Sequence, residues 1–202
     1  ITPATLTISG ITVADKVYDG NIAATVDVSN ANLSGLYAGD VVQVSANGFF
    51  GDKNVNWDGT SAQNKTVNLA ETYTGADRRN YVITAQGSAT AKITQKALNI
   101  SGTTVADKVY DRNDIATVTA GNLSLLEGNE KLGVTGSGTF ADWNVVLDAD
   151  GNPADQNITV TYTLLDGSDG GLASNYSLAG EVLVDAAKIT PKALTISGIT
   201  AA

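Results

Sequence analysis

The chain of 202 residues contains no cysteine, no histidine and no methionine. Each absence closes a class of function. Without Cys there is no disulfide framework and no thiolate metal site. Without His as well, ordinary zinc and copper sites lose their main ligands, and neither a Ser-His-Asp nor a Cys-His catalytic machine can be assembled. Charged residues are scarce at 16%, and no apolar run approaches the roughly 20 residues that a membrane-spanning helix requires. Basic residues are outnumbered 12 to 21, giving a net charge of −9. That balance argues against a basic patch for nucleic acid or anionic lipid and reads as solubility.

What is present is β-forming sequence that repeats. Hydrophobic residues make up 43% of the chain, too many for a disordered segment. "ITPATLTISG" at 1–10 returns as "ITQKALNISG" at 93–102 and as "ITPKALTISG" at 189–198. "VADKVYDGN" at 13–21 returns as "VADKVYDRN" at 105–113. "NGFFGDKNVNW" at 47–57 answers "SGTFADWNVVL" at 137–147, and "NYVITAQGSATAKIT" at 80–94 answers "NYSLAGEVLVDAAKIT" at 175–190. A period of 92 to 96 residues is too long for a solenoid turn and is the size of a small domain. The reading is one repeat over 1–92, a second over 93–188 and the start of a third over 189–202, within an array that belongs to something longer. Tandem β repeats without Cys fit secreted bacterial surface proteins, whose stability does not lean on disulfides.

Short alternating runs fill each repeat. "TLTISG", "AATVDVS", "VVQVSA", "TVNLAETYT" and "NYVITAQ" place apolar residues at every second position, bounded by Gly, Asn or Asp, and "LGVTGSGTF", "NITVTYTLL" and "EVLVDAAKI" do so in the second repeat. The expected fold is all-β: tandem small β-sandwich, Ig-like domains. A β-grasp-like sheet is the alternative if "NANLSGLYAGD" at 30–40 or "GNLSLLEGNE" at 121–130 forms a helical turn. The junction "SATAKITQKALNISG" at 88–102 has no Gly before Gly102 and no Pro, so it is not a flexible linker. It predicts a strand running continuously from one domain into the next, and Pro191 stiffens the following junction. A stiff, rod-like array is the expectation.

The repeated phrase reads as architecture. Tyr18 and Tyr110 are expected to act as pegs, each burying its ring and hydrogen-bonding its hydroxyl to lock a loop over the core. Asp19 and Asp111 are expected to cap the turn. Arg112 replaces Gly20, which predicts that this position tolerates any residue and does not require positive φ.

In combination, "KVYDGN" (Lys16 to Asn21), "GDVVQVSANGFFGDKNV" (Gly39 to Val55), "NYVITAQGSATAKIT" (Asn80 to Thr94) and "KALNISG" (Lys96 to Gly102) resemble the YDG repeat of large bacterial filamentous-haemagglutinin-like adhesins. Almost the whole chain is covered by the resemblance. The second repeat departs from the pattern at Arg112, at Trp143 where Lys53 stood, and at "GNEKLGV". The resemblance implies a secreted, surface-displayed protein of many repeats, and no particular ligand.

Several constellations are candidates for chemistry. Asp148, Asp150, Asn152 and Asp155 in "LDADGNPADQN" offer alternating oxygens in a loop and form a candidate calcium site, although Gly151 and Thr159 do not fit an EF-hand. "LLDGSDGG" at 164–171 reads as a flexible tip. Asn32, Asn64, Asn122, Asn157 and Asn175 begin Asn-x-Ser/Thr triplets and are candidate glycosylation sites; Asn99, in the junction strand, is the least suited. Lys16 and Lys108 are the candidate donors for an internal Lys–Asn amide, with no bond expected. The only carboxylate pairs that recur, Asp15/Asp19 and Asp107/Asp111, lie within the structural phrase, so no catalytic residue and no enzyme activity is expected. No cofactor beyond that candidate calcium is implied.

The function expected from the sequence is a stalk that holds a distal binding domain away from a bacterial cell. The partners are then neighbouring repeats of the same chain. Two other readings are direct binding of glycan or a host surface, with Trp57 and Trp143 as candidates, and self-assembly into a filament through strand pairing by residues 189–202.

Overall fold

A computed structural model describes residues 2–198. The chain forms two compact units. The first holds residues up to Lys96 together with Ser174–Tyr176; the second holds Ala97–Ala173 and the residues from Ser177 onward. Both are all-β. The strands are β1 (Ala4–Ser9), β2 (Thr12–Val13), β3 (Lys16–Val17), β4 (Ala23–Ala24), β5 (Val26–Asp27), β6 (Asn32–Ser34), β7 (Gln43–Phe50), β8 (Lys65–Thr74), β9 (Tyr81–Thr84), β10 (Ser88–Ala91), β11 (Ile93–Thr94), β12 (Lys96–Ala97), β13 (Asn99–Ser101), β14 (Thr104–Val105), β15 (Lys108–Val109), β16 (Ile115–Ala116), β17 (Val118–Thr119), β18 (Asn122–Ser124), β19 (Gly133–Phe140), β20 (Asp155–Leu165), β21 (Tyr176–Ser177) and β22 (Glu181–Thr190).

In the first unit, β6, β1 and β9 form one sheet, and β10, β8, β7 and β4 form another. Leu6 and Ile8 of β1, with Tyr81 of β9, meet Val44 of β7 and Leu69 and Tyr73 of β8 in a shared core. The alternation that marks these strands in the sequence follows from the pleat. Every second side chain turns inward, and full burial of each Leu or Ile contributes about 1.5–3 kcal/mol. In the second unit β15, β22, β20, β19 and β16 form a five-stranded sheet. Ala116, Phe140, Ile158, Val160, Tyr162, Ala187 and Ile189 make its core.

The β7–β8 pair runs from Gln43↔Thr74 to Phe50↔Val67, and β19–β20 from Gly133↔Leu165 to Phe140↔Ile158. Neighbouring side chains crowd two glycines of these strands, so that a larger residue would force them to move. A Cβ on Gly48 would lie 2.7 Å from Val26 Cγ2, and one on Gly138 would lie 2.6 Å from Val118 Cγ2.

Two features of the fold correct the sequence reading. The stretches 30–40 and 121–130 hold no helical turn. Their Asn-Leu-Ser triplets form β6 and β18 instead, pairing antiparallel with β1 and β13. Among the described residues there is no α-helix, only the 3₁₀ turns Arg78–Asn80 and Ala173–Asn175, so the β-grasp alternative loses the helix it needed. The Ser34 and Ser124 ends of these triplets return along strand partners, which satisfies backbone groups that a lone helical turn would leave open. The junction is extended but not one strand. It breaks at Lys92, Gln95 and Leu98, because successive pieces take different partners: β10 joins β8, β11 joins β3 and β13 joins β18. Among the described residues no helix is long and apolar enough to cross a membrane.

Each unit is closed by parallel pairs that alternation alone does not announce. β1 runs parallel to β9, with Ala4↔Tyr81 through Thr7↔Thr84. β3, the heart of the repeated phrase, runs parallel to β11, and β15 runs parallel to the end of β22. The phrase "DKVY" is therefore the strand partner of "AKIT", and the two motifs recur together because they are one ladder.

Candidate functional site

The repeated phrase builds a lysine-centred lock. Lys16 leaves β3 with its side chain mostly covered, and its ammonium lies 2.6 Å from Asp19 Oδ1. It also donates to Asn21 O at 3.0 Å, Asn21 Oδ1 at 3.1 Å and Ala23 O at 3.0 Å. Asp19 Oδ1 accepts the Asn21 N–H at 3.1 Å, and Asn21 Oδ1 accepts the Ala23 N–H at 3.0 Å. Two successive Asx turns thus fold the loop around one cation. The second unit repeats the device. Lys108 lies 2.8 Å from Asp111 Oδ1 and donates to Asn113 O, Asn113 Oδ1 and Ile115 O at 3.0, 2.7 and 3.1 Å. Asp111 and Asn113 accept the N–H groups of Asn113 and Ile115.

Electrostatics follow from this geometry. Burial alone would raise the Asp19 pKa, but the Lys16 bond, the Asn21 N–H and the Lys16 charge outweigh it and hold the carboxyl below its ordinary 3.8. Asp111 is lowered chiefly by its hydrogen bond from Lys108. The remaining acids of the phrase anchor the closing ladder. Asp15 Oδ1 accepts the Lys92 N–H at 2.6 Å, and Asp107 Oδ1 accepts the Lys188 N–H at 3.0 Å. Both recurrent carboxylate pairs are therefore committed to backbone donors and lysines.

The two tyrosines of the phrase differ from each other: Tyr18 buries its ring as expected, and Tyr110 does so only in part. Tyr18 is fully buried and makes an edge-on contact with Tyr176, ring centroids 5.3 Å apart, inside the first unit. Lys53 sits 5.8 Å above the same ring. Tyr110 is only half-buried, and Trp143, in the position of Lys53, stacks beside it at 6.1 Å. The clearest hydroxyl peg is Tyr81, which the sequence reading passed over. Its hydroxyl donates to Asp40 Oδ2 at 2.6 Å and accepts the Tyr37 N–H at 3.0 Å.

Position 20/112 overturns an expectation. Gly20 has φ 75° and Arg112 has φ 72°. The left-handed conformation is kept in both repeats, so the turn does require positive φ. Arg112 adopts it because the Lys108 lock over-determines the loop around it.

Below the phrase lies a second supporting contact. Lys65 donates to Asp52 Oδ1 at 2.7 Å and to the Asn54 carbonyl. The matched position in the second unit is Gln156, buried, whose amide donates to Asn144 O and accepts from Asp142 N–H, each at 3.0 Å. A neutral amide replaces a cation and holds the same loop from both sides.

Among the described residues no three acidic side chains converge where a metal could sit. Asp148 Oδ1 accepts the N–H groups of Asp150 at 3.0 Å and Asn152 at 2.8 Å, making a tight hairpin tip with Gly151 at φ 81°. Asp155 instead begins β20 opposite Lys188, 3.9 Å from its ammonium. Of the candidate glycosylation residues, Asn32, Asn64, Asn122 and Asn157 are exposed, as is Asn99. Asn175 is the correction: it is fully buried, its Oδ1 accepts the Val55 N–H at 2.8 Å and its Nδ2 donates to Asn54 Oδ1 at 3.0 Å. A glycan there has no space. The lysines meet asparagines, but as ammonium donors ringed by oxygens. Such a nitrogen has no lone pair with which to attack an amide carbon.

The bonding roles that sequence reasoning missed, those of Asn21, Asn113, Asp15, Asp107 and Asn175, shared one legible signal: each residue stands at the same place in both repeats. The lysines' role as donors to main-chain oxygens had no such signal, since it depends on where the chain turns back.

Fold and lock together define a tandem all-β repeat protein whose recurring residues hold loops and strand ends. The YDG domain family model matches residues 2–91 and again 94–182, and the chain belongs to that family. No curated protein matches the chain.

Proposed function

We propose that the two YDG units are structural repeats of a secreted bacterial surface adhesin of the filamentous-haemagglutinin-like kind, spacing a distal binding domain from the cell. One observation carries the reading. The residues that recur are spent on the fold itself: Lys16, Asp19 and Asn21 bond one another and the main chain, and Lys108, Asp111 and Asn113 do so with the same partners. A ligand-directed repeat would aim its recurring side chains outward. The backbone from Ser88 to Ser101 supports the same reading, because it is extended and interrupted only by single residues.

The test is surface proteolysis of intact cells, followed by a denaturing gel of the native chain. A large, protease-accessible protein is the expected result, and shortening the array should reduce adhesion without changing the affinity of the isolated binding domain. An intracellular, protease-protected chain would sink the proposal.

A further inference from the structure

The first unit is completed by three residues from far along the chain. Asn175 bonds Val55 N–H and Asn54, Tyr176 packs edge-on against Tyr18, and the Gln95 amide donates to Ser174 O at 3.2 Å. Under this cover Val55 and Tyr18 are buried. The matched positions in the second unit are Asn144, Val145 and Tyr110. There the same surface is open: Asn144 is exposed, Val145 and Tyr110 are half-buried, and with Pro191, Lys192 and Leu194 they line a cavity of about 670 Å³.

A second observation points the same way. Leu194 and Ile196 match Leu6 and Ile8, which are 0% and 2% exposed in β1 beside β9. Leu194 and Ile196 are 90% and 82% exposed, and no described strand pairs with residues 191–198. Two apolar side chains on a β-branched, alternating segment are thus presented without the strand that covers their equivalents. In the first unit β1 lies between β6 and β9, and the neighbour beside Leu6 is the strand that follows Asn-Tyr, which begins at Tyr81.

We propose that the Tyr110–Asn144–Val145 cavity is a docking site for the Asn-Tyr segment of a further YDG repeat continuing the same chain from residue 198. The docked Asn would accept the Val145 N–H and donate to Asn144, and its Tyr would pack on Tyr110, as Asn175 and Tyr176 do on Val55, Asn54 and Tyr18. Asn-Tyr is then a clamp that closes on the repeat before it, through the Asn amide and the Tyr ring together. The proposal rests on the family membership, the covered surface of the first unit and the open cavity of the second, and it stands or falls independently of a cell-surface location.

The experiment extends the chain by continuing residues 1–198 with a second copy of residues 103–188, and follows amide hydrogen exchange at Val55 and Val145. In the 202-residue chain, Val55 should exchange slowly and Val145 fast, at every protein concentration. In the extended chain Val145 should slow by about tenfold or more, the effect of gaining one buried hydrogen bond. Replacing the added copy of Asn175 by Ala should reverse that gain and leave Val55 slow. Asn144→Ala, at an exposed residue, should weaken the protection without altering the added repeat. Val145 remaining fast in the extended chain would overturn the proposal. Slow, concentration-dependent exchange at Val145 in the 202-residue chain would overturn it too, because the occupant would then be a second molecule.

Discussion

Gly20 and Arg112 hold one backbone conformation, φ 75° and φ 72°, at matched points of the two units. A side chain in the left-handed region costs about 1–2 kcal/mol, partly offset because glycine gives the unfolded chain more freedom. Arg112→Gly should therefore stabilise the second unit by about 0.5–1 kcal/mol, and Gly20→Arg should destabilise the first by a similar amount. Urea denaturation of each variant checks both signs. An unchanged or lowered midpoint for Arg112→Gly would mean the arginine side chain makes compensating contacts.

Lys16 and Lys108 each satisfy two main-chain carbonyls and two side-chain oxygens. Methionine preserves the apolar stem and removes every donor. Lys16→Met and Lys108→Met should each destabilise by about 1–3 kcal/mol, which for a domain of this size lowers the melting temperature by several degrees. Calorimetry distinguishes this from a surface ion pair, whose loss would shift the melt by less than about 1 kcal/mol.

The all-β fold was legible because inward and outward residues alternate visibly in β7, β8, β19 and β20. The repeat was legible from spelling alone. The parallel ladders were not, since β3 and β11 are two residues long each and too short to carry a period. The Arg at 112 was misread for a different reason. Sequence shows which residue occupies a turn, whereas the strain it bears depends on neighbours such as Lys108 that fix the loop. Asn175 looked like an exposed acceptor for the same reason, because burial supplied by residues 120 positions away leaves no local trace.

Gly138 sits where β19 passes under Val118 and Ile158. Gly138→Ala should destabilise by about 1–3 kcal/mol, because the new methyl meets packed side chains of short strands that cannot shift freely. Gly151→Ala, at a hairpin tip with open space around it, tests backbone strain without any clash. Thermal melts should show the larger loss for Gly138→Ala; the reverse order would contradict the packing described for β19.

Acid should weaken both units in a defined window. Asp52 is held low chiefly by its hydrogen bond from Lys65, and Asp19 and Asp111 are lowered within their locks. A carboxyl with a depressed folded pKa contributes stability that is complete above its ordinary value of 3.8 and is lost as pH falls through the lower folded value. Melting temperature should thus vary little with these groups from neutrality to about pH 5 and drop below about pH 4. The Asp19→Asn and Asp111→Asn double variant should lose part of that drop. A midpoint that rises on acidification below 3.8 would show that these carboxylates are not stabilised in the folded state.

Mass spectrometry of the intact chain should return the mass of the unlinked sequence. Lys16 and Lys108 each lie within hydrogen-bonding distance of an asparagine oxygen, but their nitrogens donate protons there. Loss of one ammonia per unit would mean that amide formation had occurred and that the lock is covalent.

The pairing of Lys16 with Ile93 joins the beginning of a repeat to its end. Such a ladder is dominated by contacts distant in sequence, which form slowly. A ribosome making this protein must release nearly an entire repeat before the first one can close. Until "AKIT" emerges, β3 has no strand partner; the lock can form on its own local residues, but the repeat it begins stays open.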